Sequence, residues 1–145
     1  FDPNGDSGGF SEQALDDQAG EFPRLDERFT GLPYRHGYFT VGGVTHAGRG
    51  PQLRDGLAHI DHHSGQVARW MPEAGDYCGE PVFVPRAADA GEGDGFLLSV
   101  VYRGATCCSD LAVFDARHLQ RGPLALAHLS HRVPAGFHGN WRGAH

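Results

Sequence analysis

The residues best suited to chemistry in this chain are histidines and carboxylates, and one histidine stands apart by its setting. His138 lies in "HRVPAGFHGNW", with Phe137 before it and Gly139 after it. A neutral imidazole at the end of an extended segment is a frequent transition-metal ligand. A glycine beside it lets another group approach the backbone closely. The competing reading is an ordinary surface or core histidine, one of ten in the chain. His59, His62 and His63 form a second group in "HIDHHSG". Three such ligands without a fourth fall short of a closed zinc site, and the surrounding Asp, Ser and Gly suit a solvated turn. Two carboxylates draw notice by their neighbours: Glu21, which could pair with Arg24 in "EFPR", and Glu80, which precedes Pro81 and could stiffen a strand start. Cys78, Cys107 and Cys108 form neither an even framework nor a C-x-x-C pair. They are read as structural thiols in a reducing compartment, which points to a cytoplasmic location.

Composition limits the function classes. The chain has 145 residues, 39% of them hydrophobic, which suits one domain with a core. The net charge is −6 and every basic residue is arginine, scattered along the chain. That pattern lacks the clustered positive charge of a nucleic-acid or anionic-membrane surface, so no nucleic-acid partner is expected. No apolar run approaches the ~20 residues of a membrane span. The chain opens on Phe1 and its only methionine is Met71, so a piece or a processed form of a longer product is expected.

These groups must be positioned by strands. Residues 1–20 are rich in Gly, Asp, Ser and Gln without a sustained period and read as a flexible N-terminal segment. The stretch "EFPRLDERFTGLPYRHGYF" reads as an ordered irregular segment leading into a strand near 38–44. "GLAHIDHHSGQVARWM" places two alternating apolar runs around "DHHSG" and predicts a β-hairpin. "EPVFVPR", "GFLLSVVYR", "SDLAVFDA" and "LALAHLSHR" follow, each near the ~5 to 6 residues of a typical strand. Four consecutive antiparallel strands of this size predict one propeller blade between Glu80 and Arg132. "FDARHLQRGP" has room for one helical turn at most.

Three stretches now line up: "EFPR" (Glu21 to Arg24), "GEPVFVPR" (Gly79 to Arg86) and "GFHGNW" (Gly136 to Trp141). With "DGFLLSVVYR" and "SDLAVFDARHL" between the second and third, the order resembles the C-terminal part of the carotenoid cleavage oxygenase family, which includes lignostilbene dioxygenases. The resemblance covers residues 21–141 and implies an all-β fold, the C-terminal blades of a seven-bladed β-propeller, with residues 21–145 forming part of that domain. It further implies a non-haem Fe(II) held by four histidines, three of them hydrogen-bonded by glutamates. On this match His138 is the last iron ligand, Glu21 and Glu80 are two of the three supporting carboxylates, and Phe137 is a candidate for the apolar substrate tunnel.

The implied chemistry is oxidative cleavage of a carbon–carbon double bond in a carotenoid, apocarotenoid or stilbene-type substrate with O2. Four neutral imidazoles leave an octahedral ion with open positions, and a carboxylate on the outer ring nitrogen fixes each imidazole's tautomer and direction. The remaining ligands and blades are expected from the rest of the parent chain, so these residues alone are expected neither to bind iron tightly nor to turn over substrate. The rival reading is a non-catalytic propeller fragment or truncated remnant lacking three of the four ligands.

Overall fold

In "GFLLSVVYR" every second residue belongs to the core: Leu97, Ser99 and Val101 are buried, while Phe96, Leu98 and Val100 are partly covered on the opposite face. That two-residue period is what a strand requires to put one set of side chains on one face. The computed structural model describes residues 12–42 and 56–143, and its regular structure is β, with no α-helix among the described residues.

Two antiparallel sheets follow one another along the chain. The first contains β1 (Gly20–Leu25), β2 (His36–Val41), β3 (Gly56–Asp61) and β4 (Gln66–Trp70), hydrogen-bonded in that order. In the second, β5 (Tyr77–Cys78) and β6 (Val82–Pro85) both pair with β7 (Gly95–Arg103), which pairs with β8 (Cys108–Asp115), and β8 with β9 (Pro123–His128). The four strands expected between Glu80 and Arg132 therefore share one sheet, although β9 ends at His128. The hairpin around "DHHSG" is present as β3 and β4, and the single helical turn is a 3-10 turn at Leu119–Arg121. The sheets meet across Tyr38, Leu57, Phe83, Leu97, Val101, Phe114 and Leu119, with Trp70 edge-on to Phe114 at 4.8 Å.

Two features differ from the sequence reading. Residues 20–25, read as irregular, form strand β1 against β2. Pro23 and a register shift between Glu21 and Arg24 break the alternation that would have marked it. The next strand begins at His36, two residues before Tyr38, and ends at Val41, while 43 and 44 fall outside the described residues. The flexible segment expected over 1–20 shows no strand from 12 to 19, and 1–11 also lie outside the described residues.

Candidate metal centre

Residues of the three sequence motifs, up to 116 positions apart, come together in one cluster. "EFPR" forms most of β1, "GEP" is the link between β5 and β6, and "FHGN" belongs to the strandless segment after β9. Gly79 fixes the link: its N–H donates to the Val100 carbonyl at 2.7 Å, and its own carbonyl accepts from Ser99 Oγ at 2.9 Å. A Cβ at this position would lie 3.3 Å from the Val100 oxygen, so glycine suits the close approach.

Glu80 is then held almost entirely out of solvent, its side chain 5% exposed, and both oxygens are used. Oε1 lies 3.1 Å from His138 Nδ1 and 3.1 Å from Arg24 Nη1, and Oε2 accepts from the Gly139 N–H at 2.8 Å. Burial pushes the Glu80 carboxyl up, but the Gly139 amide, His138 and Arg24 together outweigh it, and its pKa falls below the usual glutamate value. An ionised carboxylate only accepts, so Nδ1 of His138 donates to it, and in the neutral imidazole Nε2 then carries the lone pair. The His138 side chain is 71% exposed. Its ring also stands edge-on to Phe22 at 5.5 Å, and Phe22 stands edge-on to Phe137 at 6.4 Å.

Phe22 occupies the left-handed region, φ 53°, within the irregular part of β1. A bulky side chain seldom adopts that conformation. Thr40 Oγ donating to the Glu21 carbonyl at 3.0 Å helps hold it, and the result directs the buried Phe22 ring at His138. Arg24 returns to the same place. Besides Glu80, its guanidinium donates to the Gly139 carbonyl at 3.2 Å, to Asn140 Oδ1 at 2.9 Å and to Glu27 Oε1 at 2.7 Å.

The structure thus brings His138, Glu80, Phe137 and Arg24 together. Glu21 is exposed at the neighbouring end of β1, and the pairing considered between Glu21 and Arg24 is replaced by Arg24–Glu80 and Arg24–Glu27. Among the described residues no group of three or more His, Cys, Asp or Glu side chains is arranged to hold a metal ion. What is present fits one place in a histidine set: an imidazole with its outer nitrogen available and its inner nitrogen fixed by a buried carboxylate, the support that ligating histidines commonly have.

The group around "DHHSG" requires a correction. His62 and His63 belong to the turn, whose amides are capped by Asp61, but His59 is not solvated. It is buried on β3, with Nε2 2.9 Å from Nδ1 of the equally buried His36. It stacks on Tyr38, its cross-strand partner, at 5.1 Å, and Tyr38 stacks on Phe83 of the second sheet at 5.8 Å. Burial lowers the pKa of His59 to about 4, reinforced by His36, and burial lowers that of His36 as well. Of the cysteines, Cys78 is buried, Cys107 exposed and Cys108 half-buried.

Comparison with known proteins identifies the family. A family profile described as retinal pigment epithelial membrane protein matches residues 1–143. The lignostilbene-α,β-dioxygenase isozyme III of Sphingomonas paucimobilis is 40% identical over 130 residues, 86% of this chain and 26% of that protein. The apocarotenoid-15,15'-oxygenase of Synechocystis is 31% identical over 121 residues, 83% of this chain and 24% of its own length. The crystal structure of the Pseudomonas brassicacearum lignostilbene dioxygenase superposes with a TM-score of 0.83 at 33% identity, covering 91% of this chain and 29% of that one. The chain belongs to the carotenoid cleavage oxygenase family, and its two all-β sheets match part of that family's propeller. It spans about a quarter of the length of the relatives it matches.

Proposed function

We propose that this chain forms part of a non-haem Fe(II)-dependent dioxygenase that cleaves a carbon–carbon double bond of a carotenoid, apocarotenoid or stilbene-type substrate with O2. The observation that carries the proposal is the Glu80–His138 pair, in which a buried carboxylate leaves one imidazole nitrogen available at an exposed edge. The names of the relatives, a lignostilbene dioxygenase and an apocarotenoid oxygenase, support the reaction class.

In this reading His138 contributes one ligand through Nε2, and Glu80 holds the proton on Nδ1 so that the ligating nitrogen keeps its lone pair. Glu21, exposed on the adjacent strand, is assigned to a second ligand histidine from elsewhere in the whole protein, which also supplies the other ligands. Iron(II), when bound, provides the redox-active centre for O2. Phe137, 75% exposed and steadied by Phe22, provides apolar surface beside the metal position on which a conjugated substrate can rest. No helix of the described residues is long and apolar enough to cross a membrane.

The experiment is anaerobic loading of the whole protein with ferrous iron, followed by oxygen uptake with a hydroxystilbene and with an apocarotenal. Uptake matched by two carbonyl products from one of these substrates is expected. Iron-loaded protein that cleaves neither class would overturn the substrate assignment.

A further inference from the structure

Arg24 contacts every part of the centre that comes from a different piece of chain. Its strand, β1, belongs to the first sheet, Glu80 to the start of the second, and Gly139 and Asn140 to the segment after β9. Its side chain is 14% exposed, and its fork spans Glu80 Oε1 (3.1 Å), the Gly139 carbonyl (3.2 Å) and Asn140 Oδ1 (2.9 Å). The segment holding His138, residues 129–143, lies outside the strands, and its bonds to Ser109 of β8 are made by Leu129, His131 and Val133, well before the histidine. Near the imidazole it is fastened at Gly139 and Asn140, by the Glu80 carboxylate on the Gly139 N–H and by Arg24 on the two acceptors. The histidine's direction is thus set by a backbone that Arg24 ties to two sheets.

We propose that Arg24 is the positioning residue of this centre: by joining β1, the Glu80 carboxylate and the Gly139–Asn140 backbone, it sets the direction in which His138 presents Nε2. The proposal rests on the reading of His138 as a metal ligand. A guanidinium is suited to the task because its planar, rigid array of donors can serve three acceptors at once, whereas an ammonium is a compact charge on a flexible stem. Glu27, 66% exposed, holds the outer edge of the same guanidinium and leaves the inner donors for the centre.

The test uses the whole protein with Arg24→Gln, Arg24→Lys and His138→Ala, and two measurements. The first is cobalt(II) binding, read from the ligand-field absorption spectrum and its titration. The second, on metal-free protein, is amide hydrogen exchange of the peptide covering residues 136–143. Arg24→Gln is expected to weaken cobalt binding by ~10 to 100-fold, the range seen when groups supporting a ligand are lost, to alter the absorption bands and to speed exchange at Gly139. Arg24→Lys is expected to recover part of the affinity and little of the exchange protection, and it serves if the glutamine variant does not fold. Cobalt affinity, spectrum and exchange all unchanged in Arg24→Gln and Arg24→Lys, with binding weakened in His138→Ala, would overturn the role of Arg24 alone. Unchanged binding in His138→Ala would overturn the ligand reading beneath it.

Discussion

His138 and His59 are the same residue type in opposite settings, and both depend on a hydrogen bond from one ring nitrogen. At His138 the partner is the buried carboxylate of Glu80, and the ring lies at the surface. At His59 the partner is the ring of His36, and His59 is covered by Tyr38, which stacks in turn on Phe83 of the second sheet. A carboxylate partner favours the proton on the facing nitrogen and leaves the other free for a ligand. A second neutral imidazole shares one proton with its neighbour, and burial then opposes any further protonation. The first arrangement is suited to hold a cation, the second to remain uncharged and close an interface.

Removing the carboxylate should separate the two settings most strongly. Glu80→Gln keeps the size of the side chain but loses the charge that fixes Nδ1–H, and it leaves Arg24 without its buried partner. Metal affinity of the whole protein is expected to fall by ~10 to 100-fold, with the His36–His59 side unaffected. Metal titration beside thermal unfolding checks this, since the two sites are independent on this account. On the other side, Gly93 has φ +71°, and a Cβ there would lie 2.5 Å from the His36 ring. Gly93→Ala is therefore expected to destabilise the protein by about 2 kcal/mol, from left-handed strain and the clash together, while leaving metal affinity near wild type. Denaturant unfolding and metal titration of the same variant test both halves.

The buried pair also gives a pH dependence of defined sign. Folded, His59 remains neutral down to about pH 4; unfolded, it protonates near ~6.5. Between these values the unfolded chain binds more protons, so stability rises with pH across the window. The contribution is complete above ~6.5 and is lost as pH falls toward 4. The nearby charges of Glu92 and Asp61 ease protonation while Arg35 and Arg117 oppose it, and the balance remains with burial. His59→Phe, which can stack on Tyr38 without titrating, is expected to remove about 1–2 kcal/mol of stability loss between pH 7 and pH 5 relative to wild type, allowing for solvent near the pair. An equal slope in both proteins would show that the pair is not the source. The smallest effect belongs to His63, exposed in the β3–β4 turn. His63→Ala should change stability by less than ~0.5 kcal/mol, with unchanged metal affinity.

The comparison also shows what the sequence carried. The alternating or continuous apolar runs of β6, β7, β8 and β9, with turn residues between them, marked the second sheet because strand period and turn chemistry are local properties. His138 and Glu80 were legible through short motifs. Their contact was not, since nothing in the order of residues states that Glu80 meets His138, 58 positions away, rather than another histidine. β1 escaped notice because Pro23 and the left-handed Phe22 interrupt its period. His59 was misread because it stands beside genuine turn residues. The signal that could have corrected it was its place two residues into a run that alternates with Leu57 and Asp61 and pairs across from Tyr38, a partner fixed only by the register of β2 and β3. Arg24 shows the same limit in stronger form, as its partners at the centre, Glu80, Gly139 and Asn140, lie 56 to 116 residues away.

The central claim is that His138 is a metal ligand whose free nitrogen is made available by Glu80. It is tested most directly by iron content after anaerobic reconstitution of the whole protein and of its His138→Ala variant, measured per folded chain with unfolding temperature as a control. The variant is expected to fold with an unfolding temperature close to wild type, because His138 is exposed, and to lose most of its iron. A folded His138→Ala protein that retains stoichiometric iron would contradict it.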